Sequence, residues 1–326
     1  MNGLENMLNG NSMSRKYLHV SVGNLNVDIT IFIQEMPKTD TSVFANDLVL
    51  SPGGSASNYA VAVAFYGHRV SLVATTSINP LVNDILSTLK DRGVDVSIVK
   101  RVEGIPGIVV SIVTENGEKR MFKYKGVNEF LSPNDIPLDL LKEANIVHLT
   151  SISPNIVNEV SSRAQKLGIL VSYDPGVYAI ISREKVLKTL DKVNILFLNR
   201  VEAKELAGTN TDSLLKYGLD IIAIKKGAGG AYVIQHNQKY YYGVSKPILK
   251  PINTTGAGDV FDAFFNASYL DYRDVCKALL YALSASSLKT SCRESIICFD
   301  KSLLNKQLRR TIVEVLKNPD EWVIED

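Results

Sequence analysis

The chain has 326 residues, of which 45% are hydrophobic and 21% are charged, and its formal net charge at pH 7 is +2. This composition is typical of a globular protein with a large buried core, and it favours one large domain over several small modules. The near-neutral charge argues against a protein that binds nucleic acid or an anionic membrane through a basic surface.

The N-terminal residues and the cysteines indicate a cytoplasmic protein. Residues 1–14 are polar and rich in Asn and Gly, unlike a signal peptide, and no apolar run approaches the roughly 20 residues of a membrane helix. We expect a flexible tail over residues 1–14, or a start at Met13, and one folded domain over residues 15–326. Cys276, Cys292 and Cys298 form no Cys-x-x-Cys pair, and we expect reduced thiols rather than a zinc site.

Short apolar runs alternate with helix-like segments along most of the chain. The apolar runs predict buried strands at 17–22, 70–74, 146–149, 170–173, 195–198 and 221–224. The intervening segments predict helices at 55–66, 83–92, 155–167, 183–190 and 200–206. Continuous apolar strands that alternate with helices predict an α/β fold with a parallel sheet covered on both faces.

Two segments, at about 28–50 and 107–125, depart from this alternation because they read as strands without a helix between them. In the second segment, Asn116-Gly117 is typical of the turn of a β-hairpin. We expect these strands to form a small separate sheet inserted over one end of the main domain. Such a sheet would serve as a lid that excludes water from a reaction, or as a purely structural appendage.

The stretch at 253–264 reads Asn-Thr-Thr-Gly-Ala-Gly-Asp-Val-Phe-Asp-Ala-Phe and follows a predicted strand end at 250–252. Gly256 and Gly258 allow a sharp turn into a helix that we expect to begin near Ala257. The amides of these three residues, at a helix N-terminus, would stabilise a phosphoryl group. Asp259 would accept a proton from an attacking hydroxyl.

Four motifs, in this order, resemble those of the ribokinase-like (phosphofructokinase-B) carbohydrate kinase family. They are Gly53-Gly54-Ser55-Ala56-Ser57-Asn58, Asn199-Arg200-Val201-Glu202, Lys225-Lys226-Gly227-Ala228-Gly229-Gly230-Ala231 and Thr254-Thr255-Gly256-Ala257-Gly258-Asp259. The resemblance implies a three-layer α/β/α sandwich with a central, mostly parallel sheet and a small β-sheet lid. It also implies direct transfer of a phosphoryl group from ATP, with Mg²⁺, to a hydroxyl of a sugar or nucleoside.

The resemblance implies a role for each motif residue. The catalytic residues are Asp259 as the base, with Gly256, Ala257 and Gly258. The ATP-binding residues are Asn199, Glu202, Lys225, Gly227, Gly230 and Thr255. Asn199 and Glu202 are also expected to organise Mg²⁺ through water, although their spacing equally fits a helix cap. The substrate-binding residues are Asn26, Asp28, Gly53, Gly54 and Asn58.

The sequence departs from the family pattern at three sites, one of which is 77–82, where the Gly-Asp usual in the family is missing. Asn253 replaces the Asp that, in relatives, helps to hold an activating monovalent cation, and 291–293 lacks the expected glycine, so a cation requirement stays open. Gly176 and Tyr178 stand where Asn and Arg are common, and that Arg binds acidic sugars. We therefore expect a neutral sugar such as ribose, unless the basic residues at 120–125 replace the missing Arg.

Several alternatives accompany this prediction. A nucleoside kinase of the adenosine, inosine or cytidine type would use the same fold, and a non-catalytic ligand-binding relative would keep the motifs without turnover. A dinucleotide-dependent oxidoreductase is disfavoured because no second glycine follows Gly23 in the required pattern. We expect a small-molecule substrate, no nucleic acid or membrane partner, and a homodimer formed through the lid strands.

Overall fold

The computed structural model describes residues 16–316, so the predicted tail lies outside the described residues. Within them the strands are β1 Leu18–Gly23, β2 Asn26–Ile33, β3 Asp47–Gly53, β4 Arg69–Val73, β5 Thr75–Ser77, β6 Lys100–Val102, β7 Gly107–Thr114, β8 Lys119–Tyr124, β9 Ile146–Thr150, β10 Leu170–Asp174, β11 Ile195–Asn199, β12 Ile221–Lys225, β13 Ala231–Gln235, β14 Lys239–Ser245 and β15 Thr311–Leu316.

The α-helices in the same part of the chain are α1 Ser55–Tyr66, α2 Leu81–Asp91, α3 Leu138–Glu143, α4 Pro154–Lys166, α5 Tyr178–Ile181, α6 Arg183–Leu187, α7 Arg200–Ala207, α8 Ala257–Tyr272, α9 Val275–Lys289 and α10 Lys301–Leu308. The predicted helix 183–190 ends early, at Leu187, and a short 3-10 turn follows at Leu190–Lys192.

A large sheet of nine described strands forms the centre, in the order β15-β14-β13-β12-β11-β10-β9-β1-β4. The strands from β4 to β12 in this order are parallel, as predicted, and β13, β14 and β15 add an antiparallel edge. Because parallel strands carry their carboxyl ends at the same edge, the loops that follow them meet there.

Helices cover both faces of this sheet and create two hydrophobic cores. In β11, Ile195 and Phe197 point into one core with side chains of α1, α8 and α9. Leu196 and Leu198 point into the other core with side chains of α4 and α7. Alternate side chains of a strand face opposite sides of the sheet, which explains why the four buried residues of this strand, Ile195–Leu198, are all apolar. The predicted α/β architecture is thereby confirmed.

A second sheet contains the strands β3-β2-β7-β8 in that order. We call it the small sheet. The β7–β8 hairpin turns at the predicted position, where Gly117 has a φ of 87°. In β2, Asp28 and Thr30 are buried while Ile29 and Ile31 are half-buried. The face that carries the polar residues is therefore turned inward, toward the carboxyl edge of the large sheet.

Two local predictions are wrong. No strand ends at 250–252, because Pro251 lacks an N–H group for a sheet and the N–H of Ile252 donates instead to Thr290 O at 2.7 Å. The expectation of three reduced thiols fails because Cys292 and Cys298 form a disulfide. The loop after α9 brings their Cα atoms to 5.6 Å, a proximity that the compartment argument does not consider. Across residues 16–316, every helix is too short or too polar to cross a membrane.

Candidate active site

The N-terminus of α8 lies at the carboxyl edge of the large sheet. Gly256 has a φ of 79°, and a Cβ atom there would lie 2.2 Å from Ser295 O, so both the conformation and the space require glycine. The first helical hydrogen bond runs from Val260 N–H to Gly256 O at 3.0 Å. The N–H groups of residues 257–259 have no partner within the helix. The N–H group of Ala257 donates instead to Thr254 O at 3.2 Å.

Asp259 stands in the first turn of α8 beside these amides. Its Oδ2 accepts a hydrogen bond from Asn58 Nδ2 at 2.8 Å, across 201 residues of sequence. Burial raises the pKa of the Asp259 carboxyl above its usual value, and the hydrogen bond from Asn58 opposes this shift. A desolvated carboxylate with a raised pKa is a better proton acceptor than one in water.

Asp28 lies on the inward face of the small sheet, where it is 3% exposed. Its Oδ2 accepts a hydrogen bond from Ser295 Oγ at 2.5 Å, and its Oδ1 is buried without a partner among the described residues. Burial is the main reason why the pKa of Asp28 rises to about 6. A Cβ atom on Gly53 would lie 1.9 Å from the Asp28 carboxyl carbon, so glycine is needed there.

The other predicted substrate residues lie around these two carboxylates. Asn26 begins β2, and its Oδ1 accepts a hydrogen bond from Asn128 Nδ2 at 2.7 Å. Gly54 precedes α1 with a φ of 92°, and a Cβ atom there would lie 2.4 Å from Asn24 O. Asn58 follows in the first turn of α1, and its Oδ1 is also buried without a partner in the described chain.

Lys225 ends β12 and sits beneath the N-terminus of α8. Its Nζ donates to Asp174 at 2.7 Å and to Asp262 at 2.9 Å, and it would lie 3.5 Å from a Cβ atom on Gly258. The two carboxylates outweigh burial and raise the pKa of Lys225, which stays protonated. Lys225 therefore supports the turn as the cation of a buried ionic cluster with Asp174 and Asp262.

Asn199 and Glu202 form a capping box at the start of α7. Glu202 accepts hydrogen bonds from the Asn199 main chain at 2.8 Å and from its Nδ2 at 2.6 Å, while Asn199 Oδ1 accepts from Glu202 N–H at 2.9 Å. Burial, and then the nearby charge of Asp174, raises the pKa of Glu202 to about 7.

This arrangement fits a magnesium ion held through water. Within residues 16–316, no three His, Cys, Asp or Glu side chains form a direct metal site, and Mg²⁺ commonly keeps several of its waters. Each Glu202 oxygen accepts one of these hydrogen bonds and retains a lone pair for a water. A nearby divalent cation would also favour the ionised form of Glu202.

The remaining predicted nucleotide residues fall in two loops. Gly227 and Gly230 lie between β12 and β13 with φ angles of 59° and 83°, and Lys226 N–H donates to Gly230 O at 2.8 Å. A Cβ atom on Gly230 would lie 2.0 Å from Gly243 O, so its glycine is required by packing. Thr255 Oγ1 accepts a hydrogen bond from Lys119 of the small sheet, a contact that the sequence did not indicate.

Four further residues of the site were missed at the sequence level. Asp174 ends β10, so the rule that ligands bind at carboxyl ends of parallel strands would have found it. Asp262 lies one turn after Asp259, and a carboxylate on a buried helix face is a detectable signal. Ser295 and Lys119 reach the site from a loop and from the small sheet, and nothing in the sequence indicates those contacts.

Comparisons with known proteins identify relatives that phosphorylate sugars, sugar phosphates or nucleosides. The chain is 32% identical over 276 residues to an ATP-dependent ribose-1-phosphate kinase of Halopiger xanaduensis, covering 82% of this chain and 90% of that protein. It is 25% identical over 278 residues to a nucleoside kinase of Methanothermobacter thermautotrophicus, covering 82% and 87%. The structure of Arabidopsis thaliana ribokinase complexed with ribose and ATP matches with a TM-score of 0.77 and 25% identity, covering 90% and 98%.

The model of the pfkB family carbohydrate kinases matches residues 17–302. This range contains the glycine turns at 53–54, 227–230 and 256–258. It also contains the Asn199–Glu202 cap and Asp259. The chain belongs to the pfkB family of carbohydrate kinases and is a phosphotransferase that acts on a hydroxyl group of a sugar or nucleoside.

Proposed function

We propose that the protein transfers the γ-phosphoryl group of ATP to a hydroxyl of a neutral sugar such as ribose, with Asp259 as the base. The observation that carries the proposal is a pair of buried acceptors, Asp28 Oδ1 and Asn58 Oδ1, without partners in the described chain. Asn58 donates a hydrogen bond to Asp259, and Asp28 is close enough to interact with Asp259 electrostatically. Both acceptors therefore lie near the proposed base. Sugar hydroxyls are the donors that such a site lacks.

The proposed reaction is a direct displacement. The substrate hydroxyl gives its proton to the Asp259 carboxylate, its oxygen forms a bond to the γ-phosphorus of ATP, and the bond from that phosphorus to the bridging oxygen breaks to release ADP. The amides of Gly256 and Gly258, and the helix dipole behind them, stabilise the charge on the transferring group. Positioning of the two reactants provides much of the acceleration.

Glu202 and Asn199 would hold magnesium through water near the phosphates. When bound, the ion would neutralise phosphate charge in the way that is common to enzymes of phosphoryl transfer. Lys225 pairs with Asp174 and Asp262, and burial raises the pKa of Asp262 well above its usual value. The cluster therefore has little net negative charge to repel an incoming phosphate. The small sheet would exclude water from the cleft through its inward polar face.

A phosphorylated sugar is a second candidate, because basic side chains also face the substrate pocket. Lys119 and Lys123 both interact electrostatically with Asp28, and the Halopiger xanaduensis relative is a ribose-1-phosphate kinase. A sugar phosphate would place its phosphate near these ammonium groups. With a neutral sugar, the ammonium groups would interact only with the small sheet and with Asp28.

A substrate panel tests the proposal. Purified protein with ATP and Mg²⁺ is assayed for ADP release against ribose, other neutral sugars, nucleosides and ribose 1-phosphate, and the products are identified by ³¹P NMR. We expect the highest kcat/KM for a neutral pentose. A preference for ribose 1-phosphate that is lost in Lys123→Met would select the second candidate. ADP release that no acceptor accelerates would contradict both.

A further inference from the structure

Asn266 is a fully buried amide in the middle of α8. Its exposed fraction is 0%, and its Nδ2 donates to the Tyr59 hydroxyl at 3.1 Å and to Ser172 Oγ at 2.8 Å. Its Oδ1 is buried without a partner among the described residues, and a buried acceptor without a partner is costly. An apolar side chain would avoid this cost, so stability alone does not account for an amide at this position.

The bond to Tyr59 joins α8 to α1, and these two helices carry the proposed base and its partner. Asn266 lies about two helical turns after Asp259 in α8, so both side chains lie on the same face of the helix. Tyr59 directly follows Asn58 in α1, and Asn58 donates to Asp259 at 2.8 Å. The Asn266–Tyr59 bond therefore constrains where Asp259 lies relative to Asn58.

The bond to Ser172 joins the same amide to the large sheet. Ser172 and Asp174 alternate with one residue between them in β10, so both face the side of the sheet that α8 covers. Asp174 and Asp262 of α8 both accept hydrogen bonds from Lys225, at 2.7 Å and 2.9 Å. The helix α8 is thus held over β10 by this ionic contact and, one turn further along, by Asn266.

Two buried imidazole rings hold the partners of Asn266. The Tyr59 hydroxyl lies 2.8 Å from His19 Nδ1, and Ser172 Oγ lies 2.9 Å from His148 Nδ1. Burial lowers the pKa of His148 to about 3 and that of His19 well below its usual value, so both rings are neutral. A neutral ring can accept a hydroxyl proton at Nδ1. Each hydroxyl oxygen then keeps its lone pairs for an N–H group of Asn266.

We propose that Asn266 is a positioning residue that holds α8 against α1 and β10 in the placement at which Asp259 meets the attacking hydroxyl. Because it is fully buried, Asn266 acts through the helix rather than on a substrate. A side chain of similar size without donors would fill the space but leave the helix free to shift. A displacement of about 1 Å at a catalytic group can cost about 10²-fold in rate. The catalytic consequence rests on the proposed kinase function.

The first test compares two Tyr→Phe variants, each of which removes one hydrogen bond between α1 and α8. Tyr59→Phe loses the bond to Asn266. Tyr66→Phe, the matched control, loses the bond to Asp271 at 2.8 Å, at the C-terminal ends of both helices. With the best acceptor of the substrate panel, we expect Tyr59→Phe to lower kcat by about fivefold or more and to keep KM for the acceptor within about twofold. Tyr66→Phe should change neither value, and equal kcat in the two variants would contradict the proposal.

The second test removes the amide itself. Asn266→Leu loses both bonds at similar volume, and we expect kcat to fall by about tenfold or more. In the double variant Asn266→Leu/Tyr59→Phe, the second change should lower kcat by less than about twofold, because the hydroxyl no longer has an amide to hold. Losses that multiply in full would show that Tyr59 does not act through Asn266. If Asn266→Leu does not fold, the comparison of the two tyrosine variants decides the question.

A measurement without substrates separates this inference from the proposed function. Crystal structures of Tyr59→Phe and Tyr66→Phe give the distance from Asn58 Nδ2 to Asp259 Oδ2. We expect this distance to exceed about 3.5 Å, the limit of a hydrogen bond, in Tyr59→Phe alone, a result that would support the inference even if no acceptor were phosphorylated. An unchanged contact in Tyr59→Phe would refute the inference and leave the proposed kinase activity intact.

Discussion

The Asp28 carboxyl group has one oxygen bonded to Ser295 and the other without a partner in the described chain. The oxygen without a partner has its full acceptor capacity for a sugar hydroxyl, and the interaction is strongest when the group is ionised. Its protonation state therefore controls how tightly the proposed substrate is held.

Substrate affinity should depend on pH through this group. Because burial raises the pKa of Asp28 to about 6, the carboxylate prevails above that pH and the neutral acid below it. We expect KM for the sugar to rise as the pH falls below about 6, and Asp28→Asn to have a high KM that no longer varies with pH. Measurements of KM across this range check the expectation, which a flat wild-type profile would refute.

At the residue level, the sequence predicted the groups that come from short motifs. Asn58 and Asp259 were both named from local patterns, although their hydrogen bond joins parts of the chain far apart in sequence. Ser295 could not be predicted, because its importance arises from the packing of the loop after α9 against Asp28 and Gly256. Thr255 illustrates the same limit, since its partner Lys119 comes from the small sheet.

Among the elements, the loop between α9 and α10 directly contacts Asp28 of the proposed substrate pocket. The Cys292–Cys298 disulfide closes this loop, Ser295 within it donates to Asp28, and Ser295 O lies against Gly256. Cys298 is exposed while Cys292 is buried, so a thiol in solution can attack the bond from the Cys298 side.

Opening this disulfide should weaken substrate binding. A mobile loop would release the Ser295 hydrogen bond to Asp28, and a lost bond to a charged group costs roughly 1.5–3 kcal/mol before the loop relaxes. We expect the double variant Cys292→Ser/Cys298→Ser, or treatment with a phosphine reductant, to raise KM for the sugar by about tenfold at unchanged kcat. Cys276→Ser is the control, and equal KM values in all three proteins would contradict the expectation.

For the molecule as a whole, the alternation of apolar strands and helices predicted the parallel part of the large sheet and its two covered faces. The strands β13, β14 and β15 were not predicted, because they form an antiparallel edge whose residues mix polar and apolar types. The small sheet was predicted from its hairpin, but its position over the carboxyl edge of the large sheet follows from long-range pairing such as that of β2 with β7.

The outward face of the small sheet indicates self-association. Leu48 and Leu50 on β3 are each exposed by 52%, and Phe122 and Tyr124 on β8 are exposed by 62% and 56%. These strands are the two edges of the small sheet, and exposed apolar patches mark interfaces. We expect a homodimer in which the small sheets of two copies cover each other. Light scattering coupled to gel filtration should give twice the chain mass, and Leu50→Glu should give a monomer.

A matched variant controls this dimer experiment. Ile312 is 57% exposed on β15, the edge strand of the large sheet, and Ile312→Glu should remain dimeric. A wild-type mass equal to one chain at micromolar concentration would show that the outward face does not pair two copies.

The central claim is that Asp259 removes the proton from the attacking hydroxyl, and the most direct measurement is single-turnover phosphoryl transfer by Asp259→Asn with the best acceptor of the substrate panel. Asn preserves the shape and the contact with Asn58 but cannot accept the proton. We predict a rate lower by about 10²-fold or more, with affinity for a non-hydrolysable ATP analogue within about twofold of wild type. Phosphoryl transfer by this variant at close to the wild-type rate would contradict the assignment of Asp259 as the base.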